Sequence, residues 1–325
     1  MAGNTSFNTL ASTTLQNFEP TLDDNLSTQV VGYYFLKEAD AVRTKHGRQF
    51  VEPLLYAENS TGASYTDYEQ LTVPTSSTGI SAAVYDPKAY AIQIAISGME
   101  EAQNSGPEQL IDLLEAKLQQ ATITAVNDLD VMFWGDGSGN SAKDMVGFGA
   151  LIGDATTDAA TITAGGVAPG GIPTTSSQNT WWLSSITRST GTLTLAKMST
   201  AWNNASRGND MPTWGATTQT LFEKYESLLQ PQQRFTDSKT AEAGFQNLTF
   251  KGKPLVWGAN VPSGTVTFIN PKYIRLNKLG DQWMKSTPFV KPNDYDARYA
   301  SIISYGNLSC SNRKLAGSRL EGATA

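Results

Sequence analysis

The chain has 325 residues and a formal net charge of −6, from 24 Lys and Arg against 30 Asp and Glu. A hydrophobic fraction of 39% is typical of a folded protein, and the acidic balance argues against a general nucleic-acid-binding protein. One cysteine, Cys310, excludes an intrachain disulfide framework and a cysteine-rich zinc site. No signal peptide and no apolar run of ~18 residues is present, so we expect a soluble protein made inside the cell.

The first 45 residues are polar and lack clear periodicity. Such tails fray unless something holds them, and we expect a neighbouring subunit, or the chain's own domain, to do so. Residues 48–97 are strand-like, with apolar runs at 50–56, 65–73 and 80–96 separated by polar turns. This pattern predicts a long β-ribbon.

A long amphipathic helix follows the ribbon. Ser105 and Glu108 form a capping box, and Pro107 suits the first helical turn. Gly135 ends a stretch of about 28 residues, roughly 40 Å of helix. Apolar residues recur along it at three- and four-residue spacing, which predicts one buried face: Leu110, Leu114, Leu118, Ala121, Ala125, Leu129 and Met132.

The second half of the chain predicts a mixed α/β region. Residues 153–180 are rich in Thr, Gly, Ala and Pro and predict a loop. Helices are predicted at 192–207 and 219–229, and strands at 245–250, 255–257, 265–269 and 298–308. No internal repeat or sharp linker divides the sequence.

The sequence offers little for catalysis or metal binding. The sequence has a single histidine, His46, and no Gly-x-Ser-x-Gly nucleophile-elbow motif with which it could form a catalytic triad. We expect His46 on the solvated surface. Asp128, Asp130 and Asp136 form a carboxylate cluster, but the first two lie on different helix faces and no calcium-binding loop spacing is present. The glycines at 135–139 follow a helix, whereas a phosphate cradle precedes one. We expect no enzyme activity, no cofactor and no metal.

Four segments, in this order, resemble segments of one known family. Phe-Trp-Gly-Asp-Gly-Ser-Gly at 133–139, closed by 147–151, resembles the stretch that leaves the family's spine helix. The others resemble an axial-domain helix, later strands and a C-terminal ending: 214–225, 250–255 with 261–270, and 306–314. The family is the tailed-phage major capsid proteins of the Hong Kong 97 type, whose fold herpesvirus shells and encapsulins share. The resemblance covers nearly the whole chain.

The resemblance implies an α+β fold with four parts. These are an N-arm (1–45), an extended loop formed by the β-ribbon (46–97), a peripheral domain containing the spine helix (98–150 and 281–325) and an axial domain (151–280). Some relatives carry a cleaved N-terminal scaffold segment; this sequence starts at Met1 without one, so we expect a separate scaffolding protein or none. The ribbon region offers only Lys88, near its base, so we expect no covalent crosslinking.

The function implied is that of a bacteriophage major capsid protein, a structural protein of the virion. It would be made in the host bacterial cytoplasm and self-assemble through hexamers and pentamers into an icosahedral head around double-stranded DNA. Further expected partners are scaffolding, portal and decoration proteins and, through non-specific contacts, the packaged DNA; no membrane is involved. The alternatives are an encapsulin-like compartment shell, a phage tail or fibre protein, and an acidic hydrolase with converging carboxylates.

Two surfaces are predicted to make contacts in the assembly. A two-stranded ribbon is marginal alone in water, so we expect it to lie on an adjacent subunit through Tyr65, Tyr68, Leu71 and Val73. The first 100 residues hold five Lys and Arg against eleven Asp and Glu, and the last 75 hold eleven against four. In one interpretation, the acidic first region and the basic last region pair with each other, either within one globule or between subunits. In the alternative, four basic residues contact packaged DNA: Arg298, Arg313, Lys314 and Arg319.

Overall fold

The computed structural model describes residues 30–59, 62, 64–70, 79–103, 107–174, 179–229 and 247–325. The helices are α1 (Val31–Glu38), α2 (Gly98–Gln103), α3 (Pro107–Trp134), α4 (Phe148–Leu151), α5 (Ala155–Thr163), α6 (Leu195–Asn204), α7 (Gln219–Leu229) and α8 (Arg313–Ala316). The strands are β1 (Val42–Lys45), β2 (Phe50–Leu55), β3 (Ile80–Tyr85), β4 (Lys88–Ser97), β5 (Ser185–Thr192), β6 (Trp214–Thr217), β7 (Asn247–Phe250), β8 (Lys253–Trp257), β9 (Val266–Ile269), β10 (Ile274–Leu279), β11 (Lys285–Ser286), β12 (Ala297–Cys310) and β13 (Gly317–Thr324).

The long helix has the predicted length of 28 residues and ends, as predicted, at Gly135, whose amide donates to Val131 O at 2.9 Å. Its described apolar positions, from Leu118 to Met132, are buried in the larger of two hydrophobic cores. The helix lies against β4, whose Ile94 is also buried there. The predicted capping residue Ser105 lies outside the described residues.

The strands form two sheets and a separate ribbon. In one sheet the order is β1-β10-β12-β11, with β4 also paired to β12; in the other it is β5-β13-β9-β6-β8-β7. The first sheet covers the long helix, and the second, with α6 and α7, encloses the smaller core. The ribbon is the antiparallel pair β2–β3.

Helix α1 lies within the stretch up to residue 45 in which the sequence shows no periodicity, and it packs on the chain's own domain, one of the two expected alternatives. Val31, Tyr33 and Leu36 are buried in the larger core, and Phe35 stacks on Trp214 with ring centroids 4.5 Å apart. Residues from Val30 onward therefore belong to the body of the chain. The rest of the predicted N-arm, residues 1–29, lies outside the described residues.

Three other predictions are corrected by the structure. The predicted loop 153–180 contains α5, which is capped by Asp154 through a 3.0 Å hydrogen bond from Thr157 N. The described residues 64–70 contain no strand. Strand β4, predicted within the ribbon, belongs to the first sheet. The division of the chain at residues 280 and 281 stays a prediction, and the strand pairing bears on it as follows: β10 pairs with β12, whereas β13 lies between β5 and β9.

Candidate assembly surface

The β2–β3 ribbon has two faces of different chemistry. Phe50 lies opposite Tyr85 and Leu55 lies opposite Ile80, and the pairing is continuous between them. Side chains of a strand point alternately to opposite faces, and burial along β2 alternates accordingly, buried at even-numbered residues and exposed at odd-numbered ones. One face therefore points into the body of the chain and the other points away.

The outward-pointing side chains are all apolar. They form three cross-strand pairs, which we call the ribbon face: Val51 with Val84, Pro53 with Ala82, and Leu55 with Ile80. Leu55 is 81% exposed and Ile80 is 77% exposed, although such side chains are normally buried. A contiguous exposed apolar face of this kind is a candidate contact surface, because burying it would stabilise a complex by about 25 cal/mol per Å².

A buried carboxylate fixes the base of the ribbon. Glu52 accepts hydrogen bonds from Lys45 Nζ at 2.6 Å, from Arg275 Nη1 at 3.0 Å and from Ser309 Oγ at 3.2 Å. The three donors come from β1, β10 and β12, so this one side chain joins β2 to three strands of the first sheet. A buried charge is tolerated only when it is paired in this way, which sets the direction in which the ribbon leaves the body.

The other inward-pointing side chains add packing to this ion-pair network. Tyr85 is buried, and its hydroxyl donates to the carbonyl oxygen of Cys310 at 3.2 Å. Burial raises the pKa of Tyr85 well above its ordinary value, so the hydroxyl keeps the proton that it donates. Ala83 packs against Gly170, where an added Cβ would come within 2.7 Å of the Ala83 methyl group. The ribbon is thus held at its base, and its outer face stays uncovered in the single chain.

No protein-family model matches the chain, and no curated protein matches it. Solved structures do. The cyanophage A-1(L) capsid shares 15% identity over 88% of this chain and 91% of that one, with a TM-score of 0.66. The capsid of the empty GTA particle shares 11% identity over 89% and 96%, with a TM-score of 0.56. The holo-SrpI encapsulin of Synechococcus elongatus PCC 7942 shares 10% identity over 87% and 84%, with a TM-score of 0.54.

The chain has the Hong Kong 97-type capsid fold. The predicted α+β fold class is therefore confirmed. At identities of 15% or less, the capsid fold is what these proteins share.

Within this capsid fold, the four predicted interface residues all lie in the segment between β2 and β3. Tyr65 is 64% exposed and Tyr68 is fully exposed, as predicted for a single chain. Leu71 and Val73 lie outside the described residues. Contact of these residues with a neighbour stays a prediction. The sequence analysis did not predict the ribbon face. Strand β2 has apolar residues at both even- and odd-numbered positions, so its sequence alone does not reveal which set faces outward.

The capsid fold buries two of the four basic residues predicted to contact DNA. Arg313 is fully buried, and its guanidinium donates to the two carboxylate oxygens of Asp158 at 2.7 and 2.8 Å. Arg319 is 8% exposed and pairs with Glu321 at 2.7 Å. The prediction is wrong for both, because neither guanidinium can reach DNA in the folded chain. It stays a prediction for the two more exposed residues, Arg298 and Lys314.

The carboxylates weighed for catalysis do not converge. Asp128 accepts from the Tyr90 hydroxyl at 2.7 Å, and Asp130 accepts from Asn260 Nδ2 at 2.8 Å. Asp136 accepts from the backbone and hydroxyl of its own turn. Within the described part of the chain, no group of three or more His, Cys, Asp or Glu could hold a metal ion, and no described helix is long and apolar enough to cross a membrane.

Proposed function

We propose that the chain is a major capsid protein that self-assembles into the icosahedral head enclosing the double-stranded DNA genome of a bacteriophage. The observation that supports this most directly is the capsid fold, which extends over 88% of the chain in the cyanophage capsid comparison. The uncovered ribbon face gives the subunit a surface through which to join a second copy. The protein would be made in the host bacterial cytoplasm, with scaffolding, portal and decoration proteins as further partners.

We also propose a revised division of the chain. The extended loop would be the ribbon with its connecting segment, residues 46–87. The peripheral domain would contain α3 and the first sheet, and the axial domain would contain the second sheet, including β13. This division is supported by the strand order and by the two separate hydrophobic cores.

An encapsulin-like compartment shell is the second candidate, favoured by the similarity to the holo-SrpI encapsulin. The two functions differ in what the particle encloses. Particles purified from the natural host should contain double-stranded DNA if the chain forms a phage head. A protein cargo without DNA would instead support the compartment.

The ribbon face provides the test of self-assembly. We expect the purified wild-type chain to form shells or rings in negative-stain electron microscopy. Leu55→Asp combined with Ile80→Asp should block or strongly weaken this assembly, because each carboxylate would have to lose its water on contact. Both side chains are exposed, so the unfolding midpoint of the subunit should change little.

Ile162→Asp is the matched control, since Ile162 is an exposed apolar residue on α5, outside the ribbon. It should assemble like the wild type. Equal loss of assembly in the control would mean that any added charge interferes, and normal shells from the ribbon variant would rule out the ribbon face as a contact. A wild-type chain that stays monomeric both alone and with the scaffolding protein of its host system would contradict the proposed function.

A further inference from the structure

We propose that a groove beside the base of the ribbon binds a nucleotide, either free or as part of a single-stranded nucleic acid. The groove lies between the end of β2, the turn at Thr180–Trp182, the end of α6 and helix α8, and has a volume of about 430 Å³. Small-molecule sites are clefts of about 300–1,000 Å³, so one nucleotide fits. We call this cleft the basic groove. Binding of a nucleotide there would be independent of the self-assembly proposed above.

One wall of the basic groove consists of stacked aromatic rings. Tyr56 and Trp181 have ring centroids 4.8 Å apart and an angle of 21° between the rings. Trp182, 5.6 Å from Trp181, is buried, and its indole N–H donates to Pro169 O at 2.9 Å. Tyr56 is 38% exposed, so part of its ring is open to a ligand. Such a wall suits a nucleobase, because every base has a planar face that stacks on aromatic side chains.

The charged side chains of the basic groove are all cationic. Among its described lining residues they are Arg207 and Lys314, and neither side chain makes an ion pair or hydrogen bond with another described residue. Asp210, which pairs with Arg207 through the backbone, has its carboxylate occupied by Lys272 Nζ at 2.8 Å and by the Tyr273 hydroxyl. Two uncompensated cations favour an anionic ligand, and a guanidinium fork beside an ammonium suits a phosphate group.

The donors of the basic groove stand on backbone that is already held in place. Two backbone hydrogen bonds with Asp210, 2.7 and 3.1 Å long, fix the turn that carries Arg207. Lys314 follows Arg313, whose buried ion pair anchors helix α8. Asn312 caps the same helix through its Oδ1, which leaves its amide N–H groups as neutral donors to the groove. Preorganised donors lower the entropic cost of binding.

The aromatic wall and the cations together define the ligand. Inorganic phosphate would use the cations and leave the aromatic wall without a partner. A DNA duplex would offer its phosphates, but its bases are paired and stacked on each other. A nucleotide with an unpaired base uses both walls at once. This chemistry is the same for a free nucleotide and for a nucleotide within a single strand, so the test includes both sources.

Titration calorimetry with deoxyadenosine monophosphate (dAMP) tests the two walls separately. Tyr56→Leu removes the stacking ring and should weaken dAMP binding at least about fivefold, whereas Tyr56→Phe keeps a ring and should bind like the wild type. Arg207→Gln with Lys314→Gln should weaken binding roughly tenfold or more, because charge-assisted hydrogen bonds to the phosphate are lost. Lys143→Gln with Lys285→Gln, two exposed cations outside the groove, is the matched control and should leave binding unchanged.

Three further probes identify the ligand: inorganic phosphate, a short single-stranded oligodeoxyadenylate, and the duplex of that strand with its complement. Phosphate should bind at least about fivefold more weakly than dAMP, and its binding should not respond to Tyr56→Leu. A single strand that binds more tightly than dAMP supports a strand as the source, and one that binds more weakly supports a free nucleotide. A duplex that binds as tightly as the single strand overturns the proposal, because the groove would then contact only the DNA backbone.

The unfolding midpoint of each variant is measured in parallel. Arg207 and Lys314 are exposed, so their double variant tests the site even if loss of the Tyr56 ring unfolds the chain. No dAMP binding by the folded wild type, phosphate binding as tight as that of dAMP, or full dAMP binding in the double variant overturns the proposal. Self-assembly is scored separately by electron microscopy, so the absence of a nucleotide site would leave the proposed function untouched.

Discussion

Asp130 places a carboxylate in a buried position on the long helix. It is 8% exposed and accepts one hydrogen bond, from Asn260 Nδ2 at 2.8 Å, while its Oδ1 has no partner among the described residues. Burial raises the pKa of Asp130 and the hydrogen bond from Asn260 opposes this only in part. Asp136, at the end of the same helix, has its pKa lowered: burial opposes the change, but hydrogen bonds from Ser138 and Thr161 outweigh it.

These opposite shifts predict opposite effects of two similar substitutions. A carboxyl group whose pKa is higher in the folded chain than in the unfolded chain destabilises the fold as pH rises above its pKa in the unfolded chain, about 3.9. Asp130→Asn should therefore increase the free energy of unfolding at about pH 7, relative to the wild type, and have little effect near pH 3. A lowered folded pKa stabilises the fold above the unfolded value, and this stability is lost only as pH falls through the folded pKa. Asp136→Asn should therefore reduce the free energy of unfolding more at about pH 7 than near pH 3. Urea denaturation across this pH range measures both, and parallel pH profiles for the two variants would contradict the assignment.

At the scale of elements, one buried ion pair joins α4, α5 and α8. Besides Asp158 on α5, the Arg313 guanidinium on α8 donates to the carbonyl oxygens of Ala150 at 2.7 Å and Leu151 at 3.0 Å. Both side chains are fully buried. Three short helices, each of which would be only marginally stable in isolation, are therefore held together by an ion pair that has no access to water.

Removing one partner of this ion pair should strongly destabilise the fold. Asp158→Asn leaves a buried guanidinium without its counter-charge, so we expect the free energy of unfolding to fall by about 3–5 kcal/mol. Arg313→Lys should also destabilise the fold, because an ammonium cannot reproduce the forked set of donors. Guanidinium denaturation measures both changes. Lys291→Ala removes an exposed pair with Asp296 and should cost at most about 1 kcal/mol; a similar loss in all three variants would refute the special role of Arg313.

The elements differ in how far the sequence predicts them, for a physical reason. Helix α3 was predictable because its apolar positions repeat over 28 residues, enough to define one face. Helix α1 was not, because it has eight residues and its N-cap, Val30, makes no side-chain capping bond. Strand β13 contains Gly, Arg and Glu among its eight residues, and it is a strand because β5 and β9 lie on either side of it. Its structure is decided by partners distant in sequence, which local patterns do not report.

At the scale of the whole molecule, the acidic start and the basic end of the chain partly neutralise each other within one subunit. Arg275, from the basic last 75 residues, pairs at 3.0 Å with Glu52, from the acidic first 100. The predicted contact of these regions between subunits therefore applies only to charges left unpaired, and such exposed pairs are screened beyond about 8 Å at physiological salt.

We predict that the fold does not depend on the first 29 residues, because the described residues from Val30 onward form two hydrophobic cores. Val30, the first described residue, is fully inaccessible to solvent. Deletion of residues 2–29 should therefore leave the unfolding midpoint almost unchanged, while we still expect the acidic N-terminal segment to act between subunits, so closed shells should fail to form. Calorimetry and electron microscopy of the deletion variant measure the two effects. Normal shells would rule out a role in assembly, and an unfolded subunit would rule out independence of the fold.

Pro53, in the middle of β2, decides how ribbons can associate. Tyr56 N donates to Gly79 O at 2.9 Å, which places the even-numbered residues of β2 in hydrogen-bonded pairs and turns the odd-numbered N–H groups toward its other edge. Among the described strands nothing pairs along that edge, and at its centre proline has no N–H to offer. A strand added there would meet a break in the ladder. Growth by backbone pairing, which leads to open-ended fibrils, is thereby obstructed, and copies are left to associate through side-chain surfaces whose shape limits how many can join.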